Sequence, residues 1–281
     1  MSLCVTAGFK GVDIDALACV IAYAELKNCD AWLIDNFDAT IPNSIKNKHF
    51  NFYREKPKNA DSFVITDVSN PNFLSPQIPQ EQIIEIYDHH FGFESFWNNG
   101  SRHVQIESVG ACATMIYELF EKSEKIPSPE IANLLYTAIL SNTLNFHAVM
   151  TTERDKTAFN KLKRFINLPK NYEQLYYQET SAIVFQNPEL AIEKDMHIYS
   201  DGTKIAQLEL FEPKNILNKL EPIENGFIAV QAIGKNKTYV KTDDIKLKAK
   251  LEQIGFAFNF DIGVSVRIMQ RKEIVKLLGI R

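Results

Sequence analysis

The sequence predicts an α/β fold, with a mostly parallel, doubly wound N-terminal sheet followed by a second, smaller α/β domain. Three observations predict it. Through the first two-thirds of the chain, short apolar runs alternate with longer stretches of helical spacing, the pattern of a parallel sheet covered on both faces. After Gln186-Asn187-Pro188 the pattern changes to closely spaced strand-like runs with turns. The length of 281 residues also exceeds the ~100–150 typical of one domain. The boundary is therefore placed at the proline break, giving domains 1–186 and 187–281.

The elements follow in order. Residues 3–7 are β-rich and end at Gly8, and residues 16–26 are apolar at helical spacing (Ala16, Val20, Ile21, Ala24). Strands are expected at 31–34, 62–66, 82–87 and 104–106, with helices at 109–120 and 129–140. Pro129 suits a first helical turn, where its missing N–H costs nothing. Residues 151–166 and 172–184 read as further helices. Beyond the break, strands are expected at 196–199, 204–211, 226–234, 237–240 and 263–269, with a helical segment at 216–220.

Hydrophobic residues make up 45% and charged residues 23%, enough apolar material for a sizeable core. A net charge of −4 argues against a protein that coats nucleic acid or an anionic membrane. No stretch is long and apolar enough to span a bilayer, and the N-terminus lacks the pattern of a signal peptide. Cys4, Cys19, Cys29 and Cys112 form no CxxC pair and sit mostly among apolar neighbours, as expected of reduced thiols in a cytoplasmic protein.

The chemistry-bearing residues share one context, because each follows a predicted strand. Asp13 and Asp15 follow the first, Asp67 follows 62–66, and Asp88-His89-His90 closes 82–87. In a parallel sheet these ends meet at one edge, where ligands bind at the point of strand-order reversal. A single aspartate there is ordinarily an N-cap or turn residue. Three consecutive ionisable residues ending an apolar strand are costly to place unless they bind something. Carboxylates with imidazoles suit Mn²⁺ first, with Co²⁺ or Mg²⁺ as alternatives, for phosphate chemistry.

On these residues the chain resembles the DHH phosphoesterase superfamily. Glu107-Ser108-Val109-Gly110-Ala111-Cys112-Ala113-Thr114, Thr137-Ala138-Ile139-Leu140-Ser141-Asn142-Thr143 and Thr151-Thr152-Glu153-Arg154-Asp155 resemble its later motifs. Lys194-Asp195-Met196-His197, residues 202–207 and Gln270-Arg271-Lys272 resemble the smaller domain of manganese-dependent (family II) inorganic pyrophosphatases and exopolyphosphatases. The resemblance implies metal ligation by Asp13, Asp15, Asp67 and His89, with Asp67 bridging and Asn142 at the fourth-motif position. It implies that His90, His197, Arg271 and Lys272 contact a small phosphate-containing substrate. Asp67, His90, Arg271 and Lys272 would take part in catalysis, and the domains would close over the substrate. A homodimer is the expected assembly.

Three positions depart from the family pattern. Phe9 stands where active pyrophosphatases carry a ligating His, Asn142 where they carry Asp, and His197 where they carry a phosphate-binding Lys. His147, close to Asn142 in sequence, is the better replacement donor, ahead of His49 and His103. The expected activity is metal-dependent hydrolysis of pyrophosphate or short polyphosphate. The alternative is a non-catalytic phosphate- or nucleotide-binding relative. A nuclease of the same superfamily is a third reading, disfavoured by the acidity and by the absence of a glycine-rich, His-containing motif or a basic aromatic groove for long nucleic acid.

Overall fold

The computed structural model describes residues 2–8, 11–38, 41–98, 100–213 and 216–280. Phe9, one of the departures from the family pattern, lies outside them. The chain divides into two compact units, residues 1–146 with 150–169, and residues 147–149 with 170–281.

The first unit contains β1 (Ser2–Thr6), α1 (Ile14–Lys27), β2 (Asp30–Trp32), α2 (Asn43–Lys46), β3 (Ala60–Thr66), β4 (Ile83–Asp88), α3 (Glu94–Trp97), β5 (His103–Ile106), α4 (Cys112–Lys122), α5 (Pro129–Asn142) and α6 (Glu153–Leu162). The five strands form a fully parallel sheet in the order β2-β1-β3-β4-β5. The chain passes from β1 to β2 on one side and returns to β3 on the other, so strand order reverses between β1 and β3. One face of the sheet packs Phe63, Ile65, Ile83 and Ile86 around Trp32 and Trp97. Helix α1 is buried along almost its whole length and touches β1, β2, β3, α4 and α5. A helix apolar on all sides is what such enclosure requires.

The second unit contains α7 (Tyr172–Gln186), α8 (Pro188–Asp195), β6 (His197–Ile198), β7 (Lys204–Leu210), β8 (Gly226–Ala232), β9 (Lys237–Lys241), α9 (Ile245–Gln253), β10 (Ala257–Asn259), β11 (Ile262–Val264) and α10 (Arg271–Leu278). Its six-stranded sheet has the order β10-β11-β9-β8-β7-β6, parallel at β7–β8 and antiparallel elsewhere. Alternate strand residues feed two cores. Ile205, Phe227 and Ala229 pack with residues of α9 and α10, and Leu208, Leu210, Ile228 and Val230 pack with α7 and α8.

The Gln186-Asn187-Pro188 break separates α7 from α8, and both belong to the second unit. The edge of the unit is at 169/170 rather than at 186, because Val184 and Phe185 of α7 join the core under β7 and β8. Residues 216–220 form a turn rather than a helix. The strand expected over 263–269 stops at Val264. Beyond it the chain is held by side chains, as Ser265 Oγ accepts from Thr238 N–H and Thr238 Oγ1 accepts from Met269 N–H. Among the described residues, no helix is long and apolar enough to cross a membrane.

Candidate metal centre

The register of the first sheet brings the predicted residues to one edge. Thr6 pairs with Ile65 and Thr66 with Tyr87, so β1, β3 and β4 end together. Asp67 follows immediately in the left-handed region (φ 59°), an unusual conformation for a residue with a side chain. The bond from Asp67 N–H to Tyr87 O at 2.8 Å holds it there.

Asp67 sits in poor surroundings for a carboxylate. Its side chain is 5% exposed, and Oδ1 has no hydrogen-bond partner among the described residues. Burial, and then the neighbouring carboxylates of Asp15, Asp13 and Asp88, push it well above the usual carboxylate range. His89 Nε2 lies 3.4 Å from that oxygen. The other ring nitrogen, Nδ1, is 3.2 Å from Val109 O. A carbonyl only accepts, so Nδ1 is the donor in that contact and Nε2 is the atom turned toward Asp67. A buried oxygen without a hydrogen bond beside an imidazole nitrogen is a place where a cation can be held.

His90 is held in the same sense. Asp88 Oδ1 accepts from the backbone N–H of His89 at 2.8 Å and of His90 at 3.1 Å, and from His90 Nδ1 at 2.8 Å. Burial alone would raise the Asp88 carboxyl, but the His90 contacts hold it below the usual range. His90, half exposed, is left with Nε2 unclaimed by these contacts. The two imidazoles meet edge to face, 4.4 Å between centroids. Asp67, His89 and His90 each offer a ligand atom, all within 4.8 Å of one another. One oxygen and two nitrogens form a donor set that fits a divalent transition ion. The loop after β3 is fixed from behind, since Ser69 Oγ donates to His90 O at 3.1 Å and Trp97 Nε1 donates to Ser69 O at 2.5 Å.

The other expected ligands have different partners. Asp13 is the N-cap of α1 and accepts from Ala16 N–H at 2.8 Å. Asp15 is fully buried. It accepts from Cys112 N–H at 2.8 Å, Ala113 N–H at 2.9 Å and Asn142 Nδ2 at 2.5 Å, with Cys19 Sγ at 3.5 Å. His89 Nε2 is 3.9 Å away, beyond hydrogen-bond reach. Asn142 thus meets Asp15 through its amide N–H.

In the second unit, His197 lies exposed on β6, its Nδ1 2.8 Å from Asp195 O. Arg271 opens α10 and forms an ion pair with the Asp195 carboxylate, while its own N–H donates to Gln207 Oε1 at 2.7 Å. Lys272, next in the same turn, is exposed. His103 is exposed and its ring lies against Tyr87. His147 groups with the second unit.

Two residues that organise the first unit's site lie in motifs the sequence pointed to but were given no role of their own. Asp88 orients His90, and its place inside the Asp-His-His run was the available signal. Asp155 is fully buried and accepts from Gly110 N–H at 2.8 Å, Ala111 N–H at 3.3 Å, Thr114 Oγ1 at 2.6 Å and Thr152 N–H at 2.7 Å. Its signal was the capping box Thr152-x-x-Asp155. Gly110 admits this approach, because a Cβ there would stand 2.7 Å from Thr143 Cγ2 and 3.0 Å from Asp155 Oδ2.

A parallel sheet that gathers Asp and His side chains at its switch point is placed to bind a ligand or a metal ion there. Residues 5–139 match the DHH family, N-terminal domain, and the chain carries a domain of that family. It is homologous over most of its length to manganese-dependent inorganic pyrophosphatases. A Staphylococcus aureus (strain JH9) protein of that name is 25% identical over 276 residues, covering 91% of this chain and 89% of the relative. Among solved structures, a Methanococcus jannaschii protein assigned to the family II inorganic pyrophosphatases superimposes with a TM-score of 0.68 at 19% identity over 98% of both chains. An exopolyphosphatase-related protein from Bacteroides fragilis gives 0.53 at 13% identity, covering 99% of this chain and 90% of the other. These two structures establish the fold.

Proposed function

We propose that the chain is a divalent-metal-dependent phosphoanhydride hydrolase acting on pyrophosphate or short inorganic polyphosphate. The observation that carries this is the buried Asp67 Oδ1, without a hydrogen-bond partner among the described residues, 3.4 Å from His89 Nε2 at the strand ends. The names of the Staphylococcus and Methanococcus relatives support the substrate class, and the first of them supports Mn²⁺. Asp67 and His89 would hold the ion, with His90 Nε2 within reach. The bound ion supplies Lewis acidity toward a phosphoryl oxygen. Asp88 keeps His90 in one orientation, so its imidazolium form can donate to a phosphate oxygen or to the leaving phosphate. In the second unit, Arg271 and Lys272 stand in the first turn of α10, where the helix N-terminus also favours an anion, and the family resemblance implies that they would contact phosphate.

The Asn142–Asp15 contact favours a second reading, a phosphate-binding relative without turnover. Phosphate release from pyrophosphate, tripolyphosphate and longer polyphosphate, each with Mn²⁺, Co²⁺ and Mg²⁺, separates the two. The hydrolase reading expects turnover of at least one chain length with Mn²⁺. A silent wild type beside an active Phe9→His/Asn142→Asp double substitution would establish the second reading instead.

A further inference from the structure

We infer that this chain holds one divalent ion at its strand-end site rather than a pair, because the Asn142 amide has taken a cation's place on Asp15. The inference rests on the metal-dependent reading above and concerns how many ions that site accepts.

A carboxylate has about four lone-pair directions. On Asp15, Oδ2 accepts from Cys112 N–H and Asn142 Nδ2, and Oδ1 accepts from Ala113 N–H and lies within a weak bond of Cys19 Sγ. All four directions are accounted for by the protein. The two backbone donors are structural obligations. Cys112 and Ala113 open α4, whose N-cap Ala111 offers no side-chain cap, so Asp15 serves from a distance as the cap of that helix. A carboxylate in this position also meets the positive end of the helix dipole, which favours negative charge there. Asn142 occupies what remains. To bind an ion, Asp15 would have to release a charge-assisted bond of 2.5 Å.

The contrast with Asp67 is direct. Its Oδ1 has no donor among the described residues and lies 3.4 Å from His89 Nε2, so an ion there displaces no protein hydrogen bond. The groups able to share one ion are Asp67, His89 and His90, and Asp15 is not among them. An aspartate at position 142 would reverse this. Two carboxylates would then meet where a carboxylate and an amide meet now, and like charges that close need a proton or a cation between them.

The test is the Mn²⁺ stoichiometry of the full chain, measured by calorimetry and checked by electron paramagnetic resonance for exchange-coupled ion pairs. The inference expects one Mn²⁺ per wild-type chain with no coupled signal, and two with a coupled signal in Asn142→Asp. Asn142→Ala should still bind one Mn²⁺, because no ligand is lost. Its affinity should change by less than the roughly 10–100-fold that loss of an outer-shell partner costs. Two Mn²⁺ in wild type would overturn the inference and leave the metal-dependent reading standing. A single Mn²⁺ in both wild type and Asn142→Asp would remove Asn142 as the cause. A larger loss in Asn142→Ala would make the amide oxygen a ligand and overturn the inference. No binding by wild type at millimolar Mn²⁺ would overturn the metal-dependent reading, and this inference with it.

Discussion

The N-terminus of α4 and the ends of β3 and β4 treat buried carboxylates in opposite ways. At α4, four successive N–H groups, of Gly110, Ala111, Cys112 and Ala113, are divided between Asp155 and Asp15. Both carboxylates are buried and both are supplied with donors. At the strand ends, Asp67 Oδ1 and Asp88 Oδ2 are buried with no partner among the described residues. Buried polar atoms are ordinarily satisfied, so an acceptor left bare marks a place kept for something else. Aspartates alike in sequence thus meet different surroundings: Asp15 and Asp155 accept from the start of α4, whereas Asp67 keeps an oxygen without a donor among the described residues and Asp88 orients His90. A substitution at the helix should cost stability first, and one at the strand ends should cost metal binding first.

The largest expected effect is at Asp155. Asp155→Ala strands the buried N–H groups of Gly110 and Ala111 and removes the capping box of α6. The expected loss is about 3–5 kcal/mol, read as a lower midpoint in urea unfolding of the metal-free chain. A change under about 1 kcal/mol would show that water replaces those bonds and that the helix cradle is not structural.

Asp67→Asn should behave in the opposite way. It removes the oxygen the site keeps free, so Mn²⁺ affinity should fall by at least the roughly 10–100-fold seen for lost partners of metal sites. The metal-free protein should gain on the order of 1 kcal/mol, because a crowded buried carboxylate is replaced by a neutral amide. A variant that loses stability while keeping its Mn²⁺ affinity would erase the distinction between the two regions. Calorimetry beside a thermal melt reads both quantities on one sample.

This division also separates what was legible in the sequence from what was not. The parallel sheet was legible because 62–66 and 82–87 are apolar and end in ionisable residues, and the switch point followed from that topology. That Asp67 and His89 lie at the strand ends was legible for the same reason. The donors to Asp15 were not, because nothing in Asp13-Ile14-Asp15 reveals that Cys112 and Ala113, about a hundred residues later, direct their N–H groups at it. Helix caps supplied from a distant segment leave no local pattern. In the second unit, α8 was hidden by reading Pro188 as a terminator when it begins a helix, with Asn187 capping Leu190 N–H. Helices α9 and α10 are charged and only nine and eight residues long, shorter than the stretch over which helical spacing is read with assurance.

A third way of keeping a buried carboxylate is on β7, in the second unit. Burial and the Asp195 charge push Glu209 from 4.5 up to about 7, against the opposing pull of the Gln207 N–H and Arg271. Neither a set of backbone donors nor a cation site surrounds it, so the fold favours its proton. The β7–β8 register sets Glu209 opposite Gln231, whose buried Oε1 has no donor among the described residues, and a protonated carboxyl has an O–H to offer. The sign of the pH dependence follows. A carboxyl whose pKa is raised on folding contributes fully below its unfolded value and loses that contribution as pH rises through its folded value. The second unit should therefore lose roughly 1–3 kcal/mol between pH 4.5 and 7. Glu209→Gln, which keeps an N–H for Gln231 and cannot ionise, should flatten that slope in melts followed across the interval. An unchanged slope would place the proton elsewhere in the Asp195–Arg271–Gln207 cluster and leave the strand ends and the α4 cradle as the two solutions seen among the described residues.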